Sequence, residues 1–213
     1  MNHVLTAYGL DPESFDVQPF GSGHINKTFL LTPRAPATGG GYVLQRINTH
    51  VFKRPDVIAR NQRLTGEHLA RIAPEYVFLQ AIPTLQGADL HVSGGEHWRL
   101  MPHAADTITV DQAETPRQAF EAARQFGRFA RLTHGIHLDS FEPTIPDFHN
   151  LALRHAQFAA AVAASRAERP ERAATAAGLI DAFESRADIV EAFNRLSREL
   201  PDRLMHHDTK INN

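Results

Sequence analysis

The chain has 213 residues, 42% of them hydrophobic and 22% charged, with a formal charge of −2 when histidine is neutral. That length suffices for one large domain or two modest lobes, and the near-neutral, sign-mixed charge argues against a nucleic-acid partner. The absence of cysteine excludes disulfides, thiolate metal sites and a cysteine nucleophile, while the lack of a signal pattern or a run of about 20 apolar residues points away from the membrane and toward the cytoplasm.

In chain order, the first hundred residues carry strand signals. Apolar residues 17–20 and β-favouring residues 28–31 flank Gly21-Ser22-Gly23, which predicts a hairpin with a glycine turn. A Pro/Gly-rich loop over 33–41 leads into a third strand, Tyr42-Val43-Leu44-Gln45-Arg46-Ile47. Pro55 opens a helix that runs to Pro74, and its Val57, Ile58, Leu64, His68 and Leu69 recur at spacings that share a face. Strands are expected at 77–82, 89–92 and 98–101.

Beyond Met101-Pro102 the pattern turns helical. Thr115-Pro116 starts a helix whose Phe120, Ala123, Gly127, Ala130 and Leu132 form an apolar stripe. An alanine-rich helix follows over 151–164, then one long or two shorter helices from 171 to 198, closed by Pro201. Segregated strands and helices predict an α+β chain, with a β-rich lobe over residues 1–103 and a helical lobe over 104–213.

Three segments carry chemistry. The chain ends His206-His207-Asp208-Thr209-Lys210-Ile211-Asn212-Asn213. An acid next to a histidine, with an asparagine five positions later, is the spacing of a phosphoryl-transfer catalytic loop. Asp208 would accept the acceptor hydroxyl's proton, Asn213 would ligate Mg²⁺, and Lys210 would bring positive charge to the transferring group. The bland alternative is a polar, capped chain ending. A metallohydrolase built on His206, His207 and Asp208 lacks further ligands at a workable spacing.

Second, the glycine turn lies between two strands, the arrangement of a lid over ATP phosphates rather than of a dinucleotide fold, which needs a helix next. Gly21, Ser22, Gly23, His24 and Asn26 are its candidate contacts, a plain hairpin turn being the alternative. Third, alternation sets Leu44 and Arg46 on one strand face, Leu44 toward adenine and Arg46 toward the phosphates. Glu67 on the next helix is the candidate brace for Arg46, although solvated glutamates are commoner. Met101 and His103 fall where a hinge would meet the adenine edge.

With these segments in this order, the chain resembles the aminoglycoside-phosphotransferase-like superfamily of choline and sugar kinases. The segments FGSGHINKTF, YVLQRIN, VFKRP, WRLMP, FGRFARL, IPDFHN and HHDTKINN liken it more closely to the N-acetylhexosamine kinase branch. The resemblance implies a bilobal protein-kinase-like fold, ATP and Mg²⁺ as cofactors, and a sugar hydroxyl as acceptor. It also implies that Asp147, His149 or Asn150 meets the acceptor or braces the lobe, unless IPDFHN is only a capped turn. His207 departs from the small or amide residue expected before the catalytic Asp. Members of the branch continue through a second metal-binding aspartate and further helices. A C-terminally truncated chain, with little kinase activity of its own and an exposed apolar face, is therefore expected. The alternatives are choline, homoserine or an aminoglycoside as acceptor, or a non-catalytic nucleotide-binding remnant.

Overall fold

The structure is a computed structural model that describes residues 1–21, 23, 25–35 and 40–211. A short helix, α1 (Asn2–Ala7), precedes strands β1 (Phe15–Pro19), β2 (Lys27–Pro33) and β3 (Tyr42–Ile47). Helix α2 (Pro55–Ile72) follows, then β4 (His91–Ser93) and β5 (Glu96–Pro102). The rest is helical: α3 (Pro116–Leu132), α4 (Leu151–Glu168), α5 (Pro170–Thr175), α6 (Ala177–Glu184) and α7 (Ala187–Glu199). The α+β succession is the expected one.

The strands form one antiparallel sheet in the order β1-β2-β3-β5-β4. Its two faces differ. On one, Leu31, Leu44, Trp98 and Leu100 bury themselves against Val4, Leu5 and Tyr8 of α1 and its end. Full burial of each such leucine stabilises by roughly 1.5–3 kcal/mol. The Tyr8 hydroxyl donates to the Trp98 carbonyl (2.7 Å) and accepts from the His91 N–H (3.2 Å), so this end of α1 is fastened to β4 and β5. Helix α1 was not expected, since six residues are too few to display a helical period.

Helix α2 serves the other face, where the Gln62 side chain reaches Arg99 and Met101 of β5. Its far end joins α3 in a second core of Leu69, Ala73 and Leu132, with Tyr76, Phe78 and Phe129 packed against it. The His68 ring reaches the Leu132 carbonyl at 3.0 Å and ties the two helices together. Thr115 and Gln118 form a reciprocal capping box at the start of α3. Phe120 is 63% exposed, so the stripe expected along α3 is buried only toward its C-terminal end. The expected strand at 77–82 is not one: the Leu79 carbonyl is taken by the Gln62 amide (2.8 Å), and only Ile82 bridges to Leu100.

Contacts divide the chain into two compact units, Met1–Ile145 with Arg203–Asn213, and Pro146–Asp202. The first holds the whole sheet, α2, α3 and the terminal loop. The second comprises α4 to α7. There Asn150 caps α4 by accepting from the Leu153 N–H (3.0 Å), and its amide donates to Asp147 (3.0 Å), so this stretch is a capped turn. The helical region expected as one or two helices is three, interrupted at Ala176 and again at Ser185 and Arg186. Ile189, Phe193 and Leu196 are exposed along α7. Among the described residues, no helix is long and apolar enough to cross a membrane.

Candidate functional site

The glycine turn between β1 and β2 is closed at its base by Phe20, whose N–H donates to the Thr28 carbonyl (2.9 Å). Gly21 has φ +81° with open space around its Cα, so backbone conformation rather than crowding calls for glycine there. The Asn26 side chain accepts from the Asn48 N–H (2.9 Å), which staples the turn to the end of β3. Its carboxamide oxygen is therefore engaged with the fold. Ser22 and His24 lie outside the described residues.

Strand β3 presents its faces the other way round from the expected assignment. Leu44 is 0% exposed within the α1-side core and has no surface for adenine. Arg46 shares that side. Its guanidinium pairs with Glu96 of β5 and lies over the Trp98 ring, 5.9 Å from the centroid. A concavity of about 350 Å³ opens there, lined in part by Lys27, Arg46, Asn48 and Glu96. The expected Arg46–Glu67 brace does not form. Glu67 pairs instead with Arg63 one turn earlier (2.8 Å), and with Asp89 it raises the Arg63 pKa. The reason is geometric: Glu67 belongs to the helix that serves the opposite sheet face.

On the α2 face, a cross-strand row runs Thr28, Gln45, Arg99. Arg99 donates to the Gln45 carboxamide oxygen from Nε (2.9 Å) and Nη2 (2.6 Å), and to the Gln62 oxygen from Nη1 (3.2 Å). Gln45 in turn donates to the Thr28 hydroxyl (3.0 Å). Arg99 is partly buried, and that burial pulls its pKa below the ordinary arginine value. Val43 and Met101 pair across the same two strands, with the Met101 sulfur 3.8 Å from the Gln62 amide nitrogen. His103 donates its N–H to the Gly41 carbonyl (2.9 Å), and its ring meets Phe20 edge-on at 5.7 Å, joining the end of β5 to the glycine turn. Gln45, Gln62 and Arg99 were absent from the sequence-derived site. Strand alternation pairs Gln45 with Val43, but only the register brings Arg99 beside them.

The terminal loop is held by α3. The Thr133 hydroxyl, in a residue 2% exposed, reaches the Leu204 carbonyl (3.4 Å), and the His206 ring packs on Phe126 and Phe129 at 5.2 and 6.2 Å. The Asp208 N–H donates to the His206 ring nitrogen at 3.4 Å. Beyond this anchor Asp208 and Lys210 are exposed, with Oδ2 and Nζ 3.5 Å apart. His207 adopts φ +62°, a left-handed conformation that accounts for the small or amide residue expected there. Asn213 lies outside the described residues. Among the described residues, no group of three His, Asp or Glu stands together as a metal site.

The chain is similar to the solved spectinomycin phosphotransferase, APH(9)-Ia, in complex with ADP and spectinomycin. The TM-score is 0.54 over 99% of this chain and 62% of that one, at 14% identity. The likeness is one of fold: an antiparallel sheet followed by helices, arranged as in a kinase-like phosphotransferase. In agreement, a family model described as APH, phosphotransferase enzyme family, matches residues 16–213, and the chain belongs to that family.

Proposed function

We propose that this chain carries the nucleotide site and catalytic loop of an ATP-dependent kinase. Its acceptor is the hydroxyl of a small molecule, an N-acetylhexosamine or related sugar. The observation that carries the reading is the terminal loop, where a buried threonine and a ring packed on two phenylalanines leave the Asp208–Lys210 pair facing outward. Family membership supports phosphoryl transfer, and ADP in the similar structure supports a nucleotide donor. The sugar acceptor rests on the likeness of segments such as FGSGHINKTF and IPDFHN to the N-acetylhexosamine kinase branch. A cytoplasmic setting, where ATP is available, goes with this role.

In this reading residues 1–103 act as the nucleotide lobe and 104–213 as the lobe that presents the catalytic loop. The turn of Gly21, Ser22, Gly23 and His24 covers the phosphates with backbone N–H groups, and Met101 and His103 border the adenine. Val43 takes the adenine-facing position expected of Leu44, because it shares the Met101 face. The acceptor oxygen attacks the terminal phosphorus, the bond to the departing diphosphate breaks, and the hydroxyl proton passes to Asp208. Lys210 brings positive charge alongside. Magnesium, when bound, offsets phosphate charge. Asn213 is its proposed ligand.

The test is transfer of labelled phosphate from ATP to N-acetylglucosamine and N-acetylgalactosamine, with choline, homoserine and an aminoglycoside in parallel. It should be run on the 213-residue chain. Sugar phosphorylation that Asp208→Asn lowers by about 10²–10⁴-fold is expected. Transfer to a non-sugar alone overturns the acceptor, and ATP binding without any transfer overturns the catalytic reading.

A further inference from the structure

On the α2 face of the sheet, Arg99 is, among the described residues, a cation without a counter-charge. Its hydrogen bonds run to two glutamine oxygens, both neutral, and among the described residues it makes no ion pair. The glutamines are oriented for this. Gln45 gives its amide N–H to Thr28 and Gln62 gives its own to the Leu79 carbonyl, so each turns its oxygen to the guanidinium. Arg46, by contrast, is paired with Glu96. A guanidinium has five N–H donors. Three are used here, which leaves one on each terminal nitrogen, a fork suited to two oxygens of one anion. Partial burial strengthens the attraction of this uncompensated charge for an anion, because less water competes.

The location narrows the anion. Thr28, Gln45 and Arg99 form one cross-strand row, and Thr28 receives the Phe20 N–H that closes the glycine turn. Val43 and Met101, on the same face, form the next row toward the hinge segment. An apolar row beside a cationic one suits a ligand with a flat base and a phosphate chain.

We infer that Arg99, oriented by Gln45 and Gln62, is the cation that grips the phosphate oxygens of the nucleotide, in place of a basic residue on β3. The inference rests on the nucleotide-handling reading above. Arg99 acts by direct contact with the ligand, whereas Gln45 and Gln62 are positioning residues.

The experiment is calorimetric binding of ATP, adenosine and inorganic tripolyphosphate to the chain and to Arg99→Met, Arg99→Lys and Arg46→Met, with Trp98 fluorescence as the check of folding. Arg99→Met should weaken ATP by about 10–100-fold, leave adenosine within about 2-fold, and abolish most tripolyphosphate binding. Arg99→Lys, which keeps the charge and loses the fork, should fall between. Arg46→Met should change ATP affinity by less than about 2-fold, since Glu96 already neutralises that cation. Unchanged ATP affinity in Arg99→Met, or a loss confined to Arg46→Met, overturns the assignment and leaves the kinase reading standing. Arg99-dependent tripolyphosphate binding without ATP binding overturns the kinase reading and keeps the anion site. Binding of neither ligand by the unmodified chain removes both. Should Arg99→Met fail to fold, Arg99→Lys decides: a several-fold loss for ATP with adenosine unchanged supports the assignment, and no loss refutes it.

Discussion

Leu44→Ala separates the two possible roles of β3. Leu44 is 0% exposed and sits among Leu31, Leu100, Trp98, Val4 and Leu5. The substitution removes three buried carbons, a transfer loss of about 2.4 kcal/mol at roughly 0.8 kcal/mol each. The cavity left between sheet and α1 adds to this, and the total is about 3–4 kcal/mol. Trp98, the one tryptophan in the chain, lies in the same core and reports its unfolding without signal from the second unit. In urea, with a slope of about 2 kcal/mol per molar, the Trp98 transition should fall by about 1.5–2 M. ATP affinity, measured where the variant is still folded, should stay within about 2-fold. A midpoint shift under about 0.5 M together with weakened ATP binding would refute the reasoning and return Leu44 to the ligand.

Tyr8 offers a pH test of the same core. Burial pushes its phenol from 10.0 up to about 12, so the folded state favours the neutral form. This contribution is complete below pH 10 and fades as pH rises toward 12, about 3 kcal/mol in all. Tyr8→Phe should flatten that slope in urea titrations at pH 10–12, and at neutral pH cost about 1–3 kcal/mol by stripping partners from the Trp98 carbonyl and the His91 N–H. His207→Val should lower stability by about 1–2 kcal/mol in thermal melts, more than His207→Gly, because a β-branched residue resists φ +62°. Equal losses in both variants would mean that the left-handed backbone is not the constraint. On α7, Phe193→Glu with Leu196→Lys should reduce hydrophobic-dye binding and light scattering and leave the Trp98 transition in place. Unchanged scattering would show that this face does not drive association.

The order of elements was legible because each rests on local chemistry. A glycine turn between β-favouring runs, Pro55 opening a periodic helix and Asn150 capping α4 are short-range features, and the structure has them. The turn position and the terminal HHDTKINN segment were readable for the same reason, since their chemistry lies within a few consecutive residues. The strand expected at 77–82 shows the limit. Its residues favour strand, yet one glutamine side chain from α2 claims a carbonyl that a ladder would need.

The candidate site divides along the same line. Alternation correctly joined Leu44 with Arg46, but both faces of Tyr42–Ile47 carry apolar residues, so periodicity could not say which face meets α1 and which meets α2. That choice, and with it the pairing of Arg46 with Glu96 rather than Glu67 and of Arg99 with Gln45, depends on partners about 50 residues apart. By itself the sequence determined the succession of elements, the glycine turn and the acid of the terminal loop. Tertiary structure alone decided that Arg99 meets Gln45 and Gln62 on the α2 face, because a register between distant strands is set by what packs on each side of the sheet.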